Sequence, residues 1–169
     1  MASYLPDPPD SLRGDARLFY DELRQMLADL DPSDLDPELS RATFEDEAVH
    51  VELNHRRHED WTLWADVGTG WAIVQSVFYA HEHFGDATAW LGQDDSPWPS
   101  QAVAFVSRIL RGRLVIEATL RGDEVLTVRR FLEDDDGRPL GSGWTRFFPR
   151  ERFFVWRPKR IEVVRPSFV

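Results

Sequence analysis

Between residues 12 and 30 the apolar side chains Leu12, Ala16, Phe19, Leu23, Met26 and Leu30 recur at intervals of four and three. That spacing places them on one stripe of an amphipathic helix of about 20 residues, with Ser11 as its N-cap. Asp15, Asp21, Glu22 and Asp29 fall off the stripe, and the Asp31-Pro32 and Asp36-Pro37 pairs end it. Pro6, Pro8 and Pro9 forbid helix before it, so residues 1–10 read as a tail.

The period then changes to two. Val49, Val51 and Leu53 alternate with His50 and Glu52, as in a strand with one dry face. Trp61, Leu63, Ala65 and Val67 follow on one face, with Thr62, Trp64 and Asp66 on the other, and Gly68-Thr69-Gly70 reads as a tight turn. From Trp71 to Phe84 apolar residues occupy both parities: Trp71, Ile73, Val77 and Tyr79 on one side, Ala72, Val74 and Phe78 on the other. A single long central strand, covered on both faces, is expected there. These three strands suggest an antiparallel meander.

An irregular stretch from Gly85 to Pro99 leads to a second helix, capped by Ser100, with the stripe Ala102, Val103, Val106, Ile109 and Leu110 and with Gly112 at its C′ position. Leu114–Leu120, Val125–Glu133, Trp144–Phe148, Phe153–Trp156 and Ile161–Val164 complete the strand-like runs, with turns at Arg121-Gly122-Asp123 and Asp134-Asp135-Asp136-Gly137. The order predicts an α+β domain over 11–169: an antiparallel or mixed sheet of about six strands, an N-terminal amphipathic helix and a second helix near 100–111.

Composition narrows the possible chemistry. With 169 residues and no cysteine, the chain is large enough to fold on a hydrophobic core alone, and thiol nucleophiles, disulfides and cysteine–metal sites are excluded. No apolar h-region follows Met1 and no run is long enough to span a bilayer, so a cytoplasmic location is expected. Nineteen of the twenty basic residues are arginine, a bias that fits a GC-rich bacterial genome.

The net charge of −10 is unevenly spread. Residues 1–60 carry 16 acids and 6 bases, 61–100 carry 5 acids and no base, and 101–169 carry 9 acids and 14 bases. All of the excess acid therefore lies in the first hundred residues. A field of that sign opposes nucleic acid and anionic lipid and favours a basic partner.

No catalytic motif stands out. The serines lack a Gly-x-Ser-x-Gly elbow, Lys159 is the only lysine and belongs to no phosphate-binding loop, and the 134–137 acids lack the later ligands of a calcium loop. His81 and His83 share one face of a strand, with Glu82 opposite, and His50, His55 and His58 lie nearby in sequence; their spacing matches no zinc motif. No cofactor or metal is expected. The C-terminal arginines alternate with Phe147, Phe148, Phe153, Phe154 and Trp156, a pattern compatible with single-stranded nucleic acid but opposed by the overall charge.

The seven tryptophans are the least ordinary feature. Trp61 and Trp64, on opposite strand faces and beside Asp60 and Asp66, have the composition of a protein-binding hot spot; Trp90, Asp94, Asp95 and Trp98 extend it. The expected function is a small acidic, non-enzymatic domain that binds a basic protein. In general character it is similar to the immunity proteins and antitoxins that mask a toxin, a likeness of class and not of motif. The competing expectation is a ligand-binding or enzymatic domain with a pocket between sheet and helix, lined by tryptophan, His81, His83 and Tyr79.

Overall fold

The computed structural model describes residues 4–58, 61–76, 79–85, 96–122, 124–146 and 159–169. Helix α1 spans Gly14–Leu30. It starts two residues later than the Ser11 cap implies, with Arg13 at N-cap and Gly14, at a positive φ of 60°, as its first residue. Its buried stripe is Ala16, Phe19, Tyr20, Leu23 and Leu27, with Met26 and Leu30 at the margin. Residues 4–9, expected as a tail, lie along this helix: Leu5 is buried, the Tyr20 hydroxyl donates to the Pro6 carbonyl at 2.9 Å, and Arg24 pairs with Asp7 at 2.6 Å. The prolines bar helix there but not packing.

Five strands follow as an antiparallel meander: β1 (Arg41–Glu45), β2 (Ala48–Asn54), β3 (Thr62–Gly68), β4 (Trp71–Ser76) and β5 (Tyr79–Gly85), in spatial order β1-β2-β3-β4-β5. The segment read as one strand from Trp71 to Phe84 is a hairpin, in which Ser76 pairs with Tyr79. Strand β2 alternates half-buried and buried positions along its whole length, as its period of two requires. Val49, Val51, Leu53, Leu63, Ala65, Val67, Ala72, Val74 and Phe84 form the dry face.

That dry face lies against α1 and the second helix, α2 (Trp98–Leu110). The N-cap of α2 is Pro97, not Ser100; Ser100 sits in the first turn and donates to Glu22 of α1 at 2.9 Å. Phe105 meets Phe84 edge-on with ring centroids 5.5 Å apart, which joins α2 to β5. Among the described residues, helices cover one face of this sheet.

A second antiparallel sheet, in the order β8-β7-β6-β9, is built from β6 (Leu114–Arg121), β7 (Glu124–Glu133), β8 (Pro139–Arg146) and β9 (Lys159–Val164). The fold is α+β, with the strands divided between two sheets. Asp134 closes the β7–β8 hairpin by accepting the backbone N–H groups of Asp136 and Arg138 at 2.9 and 2.7 Å. Leu114 and Leu132 bring one end of this sheet into the main core, and the chain end returns there as well. Phe168 is buried; its N–H donates to Leu110 at 2.9 Å, and its carbonyl accepts from Asp34 at 3.1 Å. Gly112, at a φ of +70°, lets this segment pass, since a Cβ there would lie 3.0 Å from the Cβ of Ser167.

Candidate functional site

The register of the five-stranded sheet decides which side chains share its helix-free face. Thr43, His50, Asp66, Ile73 and His83 stand in one cross-strand row. Arg41, Glu52, Trp64 and Gln75 form the next row, and Glu45, Ala48, Gly68 and Trp71 the one on the other side. Alternation on each strand puts all of these opposite to the dry face. Trp64 and Asp66 therefore share the side of β3 opposite the dry face.

Trp71 is the most open aromatic of the group, with 45% of its surface exposed. Its indole packs against its cross-strand partner Gly68, whose ideal Cβ would be only 2.7 Å from the indole Nε1. The missing side chain at 68 is what leaves room for the ring. Together with Thr43, Glu45, Ala48, Val49, His50, Asp66 and Val67 it borders an open concavity of about 420 Å³.

The polar groups around it are partly paired. His50 Nδ1 is 2.5 Å from Asp66 Oδ1, and Arg41 bonds Glu52 at 2.7 Å. Glu45 borders the concavity as a further carboxylate. A shallow site with an indole floor and carboxylates at its edge suits a cationic group, which gains both Coulomb and cation–π attraction there.

No family model, curated protein or solved structure matches the chain. The local geometry is therefore the basis for any functional reading.

The other residues singled out from the sequence are dispersed. Trp61, just before β3, packs on the core beside a histidine pair: its ring stacks on His58 at 4.1 Å and meets His55 edge-on at 4.9 Å. Trp98, at 8% exposure, is a buried residue of the first turn of α2 and is not available for docking. Asp60, Trp90, Asp94 and Asp95 lie outside the described residues.

The pocket envisaged between sheet and helix does not include His83. That residue is exposed on the opposite face, while Phe84 fills the helix side. Tyr79 and His81 belong to β5, with side chains outside the described ones. Among the described residues no group of three or more ligating side chains is placed to hold a metal. His55, moreover, has both ring nitrogens engaged: Nδ1 accepts the Arg57 N–H at 3.0 Å, and Nε2 is 3.2 Å from the Ser167 carbonyl, to which it donates. Burial, followed by the nearby His58, pushes its pKa below the usual value.

The sheet's exposed face was legible only in part. Trp71 was expected under cover, because Ala72, Ile73 and Val74 make its strand look buried on both sides. Its place opposite a glycine across a two-residue turn was the available signal.

Proposed function

We propose that the chain is a non-enzymatic protein-binding domain that docks a basic partner on the helix-free face of β1–β5. Trp71 over Gly68 is the observation that carries this reading: an exposed indole platform with Glu45 and Asp66 beside it. Trp64, Glu52 and Ile73 extend the same face. The site is open and shallow, the shape of a protein-docking surface more than of a chamber that excludes water around a reaction.

The charge arrangement supports the same reading. Among the described residues, Arg17–Asp21, Arg24–Asp7, Arg41–Glu52, His50–Asp66 and Arg57–Asp34 pair within the first hundred residues. Arg113–Asp135, Arg129–Glu117, Arg138–Asp136, Arg160–Glu162 and Arg165–Glu133 pair within the last third. Among these pairs, each arginine of the last third meets a carboxylate of its own region, which favours leaving acids of the first region available to a basic partner.

The test is capture of partners from a native lysate by the wild-type chain and by a Trp64→Ala/Trp71→Ala variant, which leaves net charge unchanged. A basic protein retained by the wild type should be lost from the variant, since truncating a hot-spot tryptophan costs about 2 kcal/mol or more, roughly thirty-fold in affinity. Retention should also weaken between about 0.1 M and about 1 M salt, where the screening length falls from about 10 to about 3 Å. Equal capture by both chains would refute the assignment of this face.

A further inference from the structure

Among the described residues, strand β9 is the edge of the second sheet and pairs on one side with β6. All six of its residues are exposed. Ile161 exposes 68% of its surface, Val163 47% and Val164 45%. An edge strand carrying this much open apolar surface is a template for pairing with another strand.

We propose that β9 is a self-association edge, which pairs antiparallel with β9 of a second copy about a two-fold axis through Ile161. The sequence Lys159-Arg160-Ile161-Glu162-Val163-Val164 selects that register. Centring on Ile161 sets Arg160 of each copy opposite Glu162 of the other, so two complementary charge pairs flank an Ile161–Ile161 contact, and Lys159 stands opposite Val163. Centring on Arg160 or Glu162 would put like charges face to face, which is destabilising. Centring on Val163 would pair Arg160 with Pro166, which has no N–H to give to the ladder.

Either alternation of the outward N–H and C=O groups suits the chosen register. If Ile161 points them outward, the axial pair is hydrogen-bonded; if Arg160 and Glu162 do, the two flanking pairs are. Arg160 and Glu162 already attract one another within the strand, with Nε to Oε1 at 3.0 Å, so their side chains share one face and can exchange partners across the axis. The product is one continuous sheet, in the order β8-β7-β6-β9-β9-β6-β7-β8. A ladder this short belongs with the weaker, concentration-dependent interfaces.

The absence of cysteine from the chain gives a direct test. In the proposed register the two Cα atoms of residue 161 lie about 4.5–5.5 Å apart, within disulfide reach. Those of residue 163, on the same face, are displaced by four residues, or about 13 Å. Under mild oxidation at low micromolar concentration, Ile161→Cys should form a covalent dimer readily and Val163→Cys should not. Sedimentation of the uncrosslinked wild type should show concentration-dependent dimer, abolished by Glu162→Arg and restored when Arg160→Glu is added. A wild type that stays monomeric, equal crosslinking at 161 and 163, or failure of the double charge swap to restore the dimer would each overturn the proposal. A dimer that forms without the 161 crosslink would place the interface elsewhere and overturn it too.

Discussion

The two sheets are built from similar numbers of strands but solve different problems. The five-stranded sheet has one dry face under two helices and one wet face, a division that β2 follows at every position. The four-stranded sheet touches the main core mainly at one end, through Leu114 and Leu132. Along β7 nearly every described position is half-buried, and β9 is exposed throughout. Charge divides along the same line, acidic in the first region and basic in the second. A sheet covered by helices is held by burial. One that projects from the core relies more on its ladder, its turns and local ion pairs such as Arg129–Glu117 and Arg165–Glu133.

The largest expected effect tests that contrast directly. Phe19 is fully buried between α1 and the sheet, and Phe19→Ala should cost about 3–5 kcal/mol in a denaturant titration, as large-to-small changes in a packed core do. Ile161→Ser on the exposed edge should stay within about 0.5 kcal/mol under conditions where the chain is monomeric. Comparable losses at both sites would mean that the second sheet is stabilised by burial as much as the first.

The difference between the regions also explains what could be read from the chain. Val49-His50-Val51-Glu52-Leu53 announces its strand because the environment of β2 alternates strictly. Trp71–Phe84 hides a hairpin because no glycine, proline, asparagine or aspartate marks the reversal between Ser76 and Tyr79. Strand β1, with the sequence Arg-Ala-Thr-Phe-Glu, is an edge strand too polar to register as one. At the candidate site, parity put Trp64 and Asp66 together on one face without saying which face is open, and Trp98 could not be told from a docking residue, since a tryptophan at a helix start looks the same in sequence whether buried or open. His50 and Asp66 face each other only through the β2–β3 register, which no local pattern reveals.

A smaller effect should appear where the two regions are tied together. His55 is buried against Phe168 and linked to Ser167, which holds the chain end on the first region. Its folded pKa lies below the ordinary 6.5 because burial disfavours the imidazolium, with His58 adding to the effect. The unfolded chain therefore takes up the proton more readily than the folded one. The contribution to stability is full above pH 6.5 and is lost as the pH falls through the lowered folded value. The thermal midpoint should drop between pH 7.5 and pH 5, and His55→Gln, which cannot be protonated, should show a smaller drop from a lower starting point. An unchanged pH dependence in that variant would mean that the acid sensitivity lies elsewhere.

A last, small change in stability concerns Gly68, on the wet face of the first sheet. A methyl group at 68 would sit 2.7 Å from the Trp71 Nε1 and 2.8 Å from Cε2, so the indole must lift off the sheet. Because the ring is already 45% exposed, little burial is forfeited, and Gly68→Ala should cost no more than about 1 kcal/mol. The lifted ring should nonetheless become more accessible to acrylamide. Seven tryptophans contribute to the emission, so the informative quantity is the increase in quenching caused by Gly68→Ala, measured with Trp71 present and again in a Trp71→Phe background. The increase should vanish in the second case. If it persists, the substitution disturbs the sheet beyond Trp71, and the wet face is less independent of the dry one than the alternation along β2 implies.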